Sequence, residues 1–511
     1  MILCICNAVY IEKILRVQPN VKKLYLLLRA GDTKSALNRF NNEVISKDLF
    51  RVLKEQRGAN LTSFISEKIT IVPGDITCET LGINDLNLSL EICTEVDVVI
   101  NLAATTNFDE RYDVALGINT LGPMHVLNFA KTCGKLKVLL HVSTAYVCGE
   151  KEGVILEKPF NLGDTLNGTS GLDINAEKQV IGERLKELND ENVSAKSITS
   201  AMKDLGIQRA RKYGWPNTYA FTKAMGEMLI GHFKQNIPLV IIRPTIITST
   251  YKEPFPGWLE GIRNIDSFVV GYGKGRMKCI PGDPHSIVDL IPADMVVNAM
   301  IAAMVAHADE PGTHIIYHVG SSMANPVSYS SLQDFGLHYF TKNPWNGKDG
   351  KPVIVVKAIQ LSSVAIFQRH MKIYYLIPLK VLHIVNAALC QYFGDIYRNL
   401  HRKIMFLMRL VELFSPYIFF KGIFDDMNTE KLRRALRECG SEIGAKADDE
   451  RIELPLSQIK DKDITDGITA AREKLASVPA GGGPVAVATP ADSTILGVAH
   501  VATERKWSPM R

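Results

Sequence analysis

A chain of 511 residues, 46% hydrophobic and 22% charged, has room for two or three domains and the balance of an ordinary folded protein. Its net charge of +5 is small for this length, which argues against a nucleic-acid partner. Nine scattered cysteines without paired spacing argue against a zinc site and fit small buried thiols kept reduced in a cytosol-facing compartment.

In chain order, Met1 to Val9 is apolar but too short, and too poor in basic flanking residues, for a signal peptide. Met1–Cys6 reads as a truncated first strand, Cys6-Asn7-Ala8 as the turn after it, and a helix starts near Val9, with Ile11–Val17 as its clear part. Apolar runs then predict strands at Lys23–Leu28, Ile69–Val72, Val98–Leu102, Val138–Val142, Leu239–Ile242 and Thr313–Val319. Helical periodicity falls between them, at Leu121–Cys133, Ala176–Leu188, Ser194–Lys203 and Tyr219–Phe233. Near-continuous Val/Ile/Leu strands alternating with helices predict an α/β fold: a doubly wound parallel sheet covered on both faces over residues 1–345.

A smaller, mainly helical domain is expected over 346–440. It opens with a strand at Lys351–Ala358 and continues through the aromatic, Leu-, Met- and Lys/Arg-rich stretch Leu361–Leu436. Two apolar segments there, Ile373–Phe393 and Ile404–Phe424, are interrupted by proline and charge, so neither reads as a membrane span. Core helices are the expectation, and peripheral contact with a membrane surface is the alternative. Residues 441–511 diverge in character, and the Ala/Val/Pro/Thr-rich stretch from about 475, with Pro479-Ala480-Gly481-Gly482-Gly483-Pro484, is expected to be poorly ordered.

The chemistry concentrates in Trp215-Pro216-Asn217-Thr218-Tyr219-Ala220-Phe221-Thr222-Lys223. Four-residue spacing stacks Tyr219 and Lys223 on one helix face, where an ammonium favours the phenolate and makes the phenol a proton donor useful near neutrality. The strand Leu139-Leu140-His141-Val142 ends in the hydroxyls Ser143 and Thr144. Ligands of such sheets bind beyond the carboxyl ends of the strands, where Ser143, Thr144, Arg243 and Ala103 all fall. Together these features suggest carbonyl reduction or oxidation with a nicotinamide cofactor. The stretch that separates Thr144 from Tyr219 by 75 positions is expected to contribute part of a cap over the substrate.

From Val9 to about Leu436 the chain closely resembles the alcohol-forming fatty acyl-CoA reductases of the plant wax and suberin type, in the extended short-chain dehydrogenase/reductase superfamily. Ile14–Arg29, His141–Tyr146, Tyr219–Lys223, Arg243-Pro244-Thr245-Ile246, Pro254–Trp258 and Phe420-Lys421-Gly422-Ile423-Phe424 carry the resemblance in order. It implies a Rossmann-like domain and NADPH-dependent reduction of a long-chain acyl-CoA, through an aldehyde, to a primary alcohol. Tyr219 would give a proton to the carbonyl oxygen, and Lys223 would steady the phenolate and hold the nicotinamide ribose. Thr144, or failing it Ser143, would hydrogen-bond the carbonyl.

Cofactor contacts implied by the resemblance are Arg29 at a 2′-phosphate, Asp75 at the adenine, Ala103, and Lys223 again. Asn119 would bridge helix and sheet, and Val288–Asp294 would be structural. The cytosolic face of the endoplasmic reticulum, held peripherally, is the expected location and the cytoplasm the alternative, with no nucleic-acid partner, and a homo- or hetero-oligomer is left open. The ends depart from the family. No glycine precedes Gly31, so the glycine-rich phosphate turn is missing, and weaker NADPH binding is expected. A truncated form, another extended-type dehydrogenase or epimerase, and a non-catalytic paralogue that binds acyl chains or partner reductases are the competing readings.

Overall fold

The computed structural model describes residues 5–442 apart from 262, 263, 278, 348, 389 and 390. Met1–Cys4 and the stretch from 475 onward, for which a strand and poor order were expected, lie outside the described residues.

Six strands carry the fold: β1 (Leu24–Leu28), β2 (Ile69–Pro73), β3 (Val98–Asn101), β4 (Val138–Val142), β5 (Leu239–Pro244) and β6 (His314–Val319). All pair in parallel. The order β3-β4-β5-β6 forms one sheet, and β1-β2 forms a second pair. Among the described residues, hydrogen-bonded pairing stops between β1 and β3. Every residue of β5 and all but the last of β4 are buried, because each has a strand on both edges and helices on both faces.

The first helix, α1 (Ile5–Val17), begins earlier than the sequence suggests: Cys6, Asn7 and Ala8 lie in its opening turns and are buried, so they do not form a turn after a strand. Its position is fixed by ion pairs as well as by Leu15 in the core. Lys13 and Arg16 both bind Glu253, at 2.9 and 2.7 Å, and Arg16 also binds Glu12 at 2.8 Å. Asp294 in turn accepts the backbone N–H groups of Tyr251, Lys252 and Glu253, which fastens that loop. Asp289 accepts from Thr245 Oγ1 and from the N–H of Ser321 and Ser322. Within Val288–Asp294, Asp289 and Asp294 are thus loop anchors, and Leu290–Pro292 between them pairs in parallel with Ile246–Thr248.

Helix α2 (Gly122–Thr132) covers one face of the sheet. Helices α3 (Ile174–Asp190) and α4 (Ala195–Lys212) follow within the long insertion. They pack on α5 (Thr218–Phe233) through Met202, Tyr213, Trp215 and Phe221, and no residue between 147 and 218 lines the cavity described below. The expected substrate cap is therefore a buttress behind α5. The reason is apolar area: α5 buries twelve of its sixteen residues, so its outer face needs a cover of its own. On its inner face, a Cβ at Gly226 would collide with the carbonyl of Asn119, so glycine allows close helix contact there.

The chain continues through α6 (Asn264–Gly273), α7 (Ala293–His307) and α8 (Tyr329–Lys342). Ala303 and Ala306, both fully buried, let α7 sit close against the sheet and α1. Beyond residue 345, Lys351–Ala358 does not form the expected strand. Its Ile354 and Val356 are 86% and 63% exposed; Pro352 makes an isolated antiparallel bridge with Asn346, and the strand that forms is Ile359–Leu361, in parallel with Cys279–Pro281. An apolar run without a neighbouring edge to bond has no ladder to join.

Four helices follow: α9 (Val364–Met371), α10 (Ile377–Ala388), α11 (Gly394–Ile418) and α12 (Met427–Glu442). The two apolar segments expected as core helices fall on α10 and α11, yet much of their apolar surface is exposed, Ile384 and Phe406 each by 68%. Among the described residues few of their side chains are buried, Leu379 and Asn386 on α10 and Val411 and Ile418 on α11, with Val411 clustered against Phe367 and Met371 of α9. The chain then returns to the sheet: Gly422–Phe424 pairs with Gly153–Ile155, and α12 packs on β6 and α7. No described helix is long and apolar enough to cross a membrane.

Candidate active site

The carboxyl ends of β4 and β5, the first turns of α5, and parts of α6, α8 and α11 enclose a cavity of about 260 Å³. Val142, Ser143, Thr144, Tyr219 and Lys223 line one end. Ile246, Phe268, Tyr272, Leu332, Phe340 and Ile418 supply much of the apolar remainder. The four catalytic candidates read from sequence therefore meet at one place, although Thr144 and Tyr219 are 75 positions apart.

Helix α5 is aimed by its cap. Asn217 accepts the N–H of Ala220 at 2.9 Å and donates its own Nδ2 to the Tyr417 hydroxyl at 2.8 Å, tying the start of the catalytic helix to α11. Tyr219 is half-buried, with its ring 5.3 Å from that of Phe108. Phe108 stacks on Tyr417 at 4.9 Å and touches Phe414 at 5.1 Å, so one aromatic group joins the phenol to the wall of the cavity.

Lys223 is 1% exposed, and its Nζ donates to the Val142 carbonyl at 2.8 Å. Its second neighbour is His141 Nε2 at 3.4 Å. Burial, and then the charge of Lys223, hold His141 far below the usual imidazole range. The ring is thus neutral and presents Nε2 as an acceptor to the ammonium. A buried ammonium with two acceptors on the adjacent strand is locked beside the sheet end, which is the placement the Tyr219/Lys223 spacing suggested.

The two hydroxyls differ. Thr144 Oγ1 accepts the N–H of Tyr146 at 3.3 Å, which leaves its proton to donate elsewhere. Ser143 Oγ is buried with no hydrogen-bond partner among the described residues. Behind them, Arg243 and Glu227 form a buried pair with Nη2–Oε2 at 2.5 Å and Nε–Oε1 at 3.1 Å, binding β5 to α5. Asn119 exchanges hydrogen bonds with both backbone groups of Thr105 and donates to Thr222 Oγ1, the bridge expected of it.

Of the expected cofactor contacts, Lys223 lines this cavity, whereas Arg29, Asp75 and Ala103 do not. Arg29, Asp75 and Ala103 come within two residues of the carboxyl ends of β1, β2 and β3, as Ser143 and Thr144 do for β4. Arg29 is exposed, and its carbonyl accepts from Arg39. Asp75 is built as a turn aspartate: Oδ1 accepts both the N–H and the hydroxyl of Thr77 at 2.9 Å. Ala103 is buried, with its N–H donating to Asn101 Oδ1, while Asn101 Nδ2 has no partner among the described residues.

A nicotinamide nucleotide fits the inner strand ends, where buried Lys223 and the unsatisfied atoms Ser143 Oγ and Asn101 Nδ2 offer donors and acceptors. At its pyrophosphate the fit is poorer, because buried helical residues, Asn7 to Val9, stand where a glycine turn would bring backbone N–H groups to the phosphates.

Sequence reasoning missed Asn217, His141, Phe108 and Tyr417. Asn217 was open to detection as an asparagine directly before a helical run. The other three have no local signal, since their partners are 82, 111 and 200 residues away.

Comparison with known proteins accounts for the arrangement. The NAD-binding family described as "Male sterility protein" matches residues 7–300, more than half the chain. The alcohol-forming fatty acyl-CoA reductase of Simmondsia chinensis is 58% identical over 431 residues, covering 84% of this chain and 87% of that protein. Fatty acyl-CoA reductase 1 of Arabidopsis thaliana is 56% identical over 436 residues, covering 85% and 88%. Among solved structures, the terminal R domain of the myxalamid PKS-NRPS pathway superposes with a TM-score of 0.51 at 17% identity, over 92% of this chain and 87% of that one, a likeness of fold alone. With relatives this similar over most of both lengths, and with the hydroxyl–tyrosine–lysine group at the sheet end, the chain belongs to the fatty acyl-CoA reductase family.

Proposed function

We propose that this protein reduces a long-chain fatty acyl-CoA to the primary fatty alcohol in wax and suberin lipid metabolism, with NADPH as the reductant. The observation that carries the reading is the single cavity in which Tyr219, Lys223, Ser143 and Thr144 line one end and apolar side chains most of the rest. When bound, NADPH supplies a hydride in each of two rounds. Arg29 is the residue we assign to its 2′-phosphate, since a guanidinium forks onto phosphate oxygens.

The protein's own part begins with orientation. Thr144, with Ser143 as the second candidate, hydrogen-bonds the thioester carbonyl oxygen, so that negative charge developing there meets a fixed donor. Expulsion of CoA as thiolate leaves an aldehyde, which the same hydroxyl holds for the second round. Tyr219 then gives its proton to the alkoxide oxygen, while the ammonium of Lys223 lowers the cost of the phenolate left behind. The apolar wall retains the chain between rounds and keeps water away from the aldehyde.

The test is to incubate purified full-length protein with NADPH and palmitoyl- or stearoyl-CoA and identify the products. Fatty alcohol and two equivalents of NADP+ per alcohol are expected. Bound acyl-CoA without any NADPH oxidation would overturn the reading. We also place the work at the cytosolic face of the endoplasmic reticulum, where a lipid substrate is at hand; subcellular fractionation that leaves the protein wholly in the soluble pool would remove that placement.

A further inference from the structure

The apolar surface of this protein is unevenly spread. Among the described residues, 15 of the 32 exposed large hydrophobics lie between 364 and 407, a span of 44 positions that runs through α9, α10, the segments joining them and the first part of α11. Tyr374, Ile384, Tyr392 and Phe406 are each more than 60% exposed. A water-soluble surface scatters such residues singly, and a continuous run of them marks a surface that something covers.

Charge identifies the cover. Between 364 and 408 there are six lysines and arginines, namely Arg369, Lys372, Lys380, Arg398, Arg402 and Lys403, and one acidic residue, Asp395. Apart from Asp395, which binds Arg398, no carboxylate in the segment offsets that charge. Apolar side chains among lysines and arginines, on helices either too short or too charged to span, are the pattern of a surface lying in a lipid headgroup layer. A second copy of this chain would bring the same positive charge against itself.

The position of α11 adds a reason. Its amino-terminal part carries exposed Ile396, Leu400 and Phe406, whereas Phe414, Tyr417 and Ile418 in its last turns line the cavity. Eight residues separate Phe406 from Phe414, roughly 12 Å along a helix. One rigid element thus joins the apolar surface to the acyl-accepting space.

We propose that the face formed by α9, α10 and the first part of α11 docks onto a membrane surface bearing anionic lipid headgroups. The inference rests on the surface and needs no turnover, so its test is separate from that of the reductase reading.

Full-length protein is floated with phosphatidylcholine vesicles and with vesicles containing roughly a third phosphatidylserine. At least about tenfold more protein should float with the anionic vesicles, and the excess should vanish near 0.5 M salt, roughly, where surface charge is screened. Ile384→Glu with Phe406→Glu should reduce flotation about tenfold. Arg402→Gln with Lys403→Gln should weaken the preference for anionic vesicles. Both pairs are exposed, so circular dichroism and the thermal midpoint should stay at the wild-type values.

Wild-type protein that stays at the bottom of the gradient overturns the proposal, as do variants that float like wild type. A dimer that Phe406→Glu dissociates would assign the face to a second copy. Flotation that appears only after removal of residues 443–511 would assign it to the chain's own tail. Either outcome also overturns the proposal.

Discussion

The β4–β5 half of the sheet and the β1–β2 pair are built from the same kinds of residue and have opposite surroundings. In β5 every side chain is buried, and the groups beyond β4 and β5 are fixed by buried bonds: Lys223 to Val142 and His141, Arg243 to Glu227, Asn119 to Thr105 and Thr222. In β1 only Leu28 is buried, and Arg29 and Asp75 beyond the outer strands bond through their own turns and nearby residues. A site that develops charge in a transition state gains most from donors that do not have to reorganise. Rigidity is therefore concentrated where the chemistry happens, while groups assigned to the far end of the nucleotide act by simple attraction.

The largest effect that could break this comparison is on the chemical step. Tyr219→Phe removes the proton donor but keeps the ring against Phe108, so kcat should fall by about a thousandfold with NADPH affinity unchanged. Arg29→Ala, in the outer half, should do the reverse: about tenfold weaker NADPH binding, or ~1.4 kcal/mol, with kcat nearly intact. Steady-state kinetics and nucleotide titration separate the two. An active Tyr219→Phe enzyme would remove the tyrosine from its role.

Stability sharpens the same contrast. Glu227→Gln leaves Arg243 charged and buried at 3% side-chain exposure, which should cost about 3 kcal/mol in chemical denaturation. Glu91→Gln, at the exposed contacts with Tyr25 and Lys23 outside β1, should cost under about 1 kcal/mol. Equal losses would mean that the two halves are not built differently.

How much of this was legible in the sequence follows the same division. The six strands fell within a residue or two of their expected bounds because buried parallel strands are unbroken Val/Ile/Leu runs. Tyr219, Lys223, Ser143 and Thr144 were found because a helical spacing and a strand end are local patterns. The insertion was misread as a cap because polar amphipathic helices look alike whichever apolar face they cover; Trp215 and Phe221 decided it, at long range. Lys351–Ala358 was misread because alternating Val and Ile show β tendency but not whether an edge is free to pair. The exposed face of α10 and α11 was open to the opposite error, since an apolar helix pattern does not say whether protein or lipid will meet it.

A further effect concerns how the chain's return to the sheet depends on pH. Glu157 accepts the N–H of His318 at 2.7 Å and of Asn428 at 2.7 Å, joining β6 to the start of α12. Burial raises its carboxyl from 4.5 to about 8; those two N–H groups pull it down, and Asp425 and Asp426 push it further up. Because the folded value lies above the unfolded one, the folded protein holds this proton more tightly. The stability it contributes is complete below about 4.5 and is lost as pH rises through about 8. His318, held neutral with its pKa lowered to about 3, stays uncharged across that window. Thermal midpoints should thus fall by a few degrees more in wild type than in Glu157→Gln between about pH 5 and pH 9. Gln keeps an acceptor for one N–H but has no proton to lose, so parallel curves for the two proteins would show that folding does not raise this carboxyl above its ordinary range.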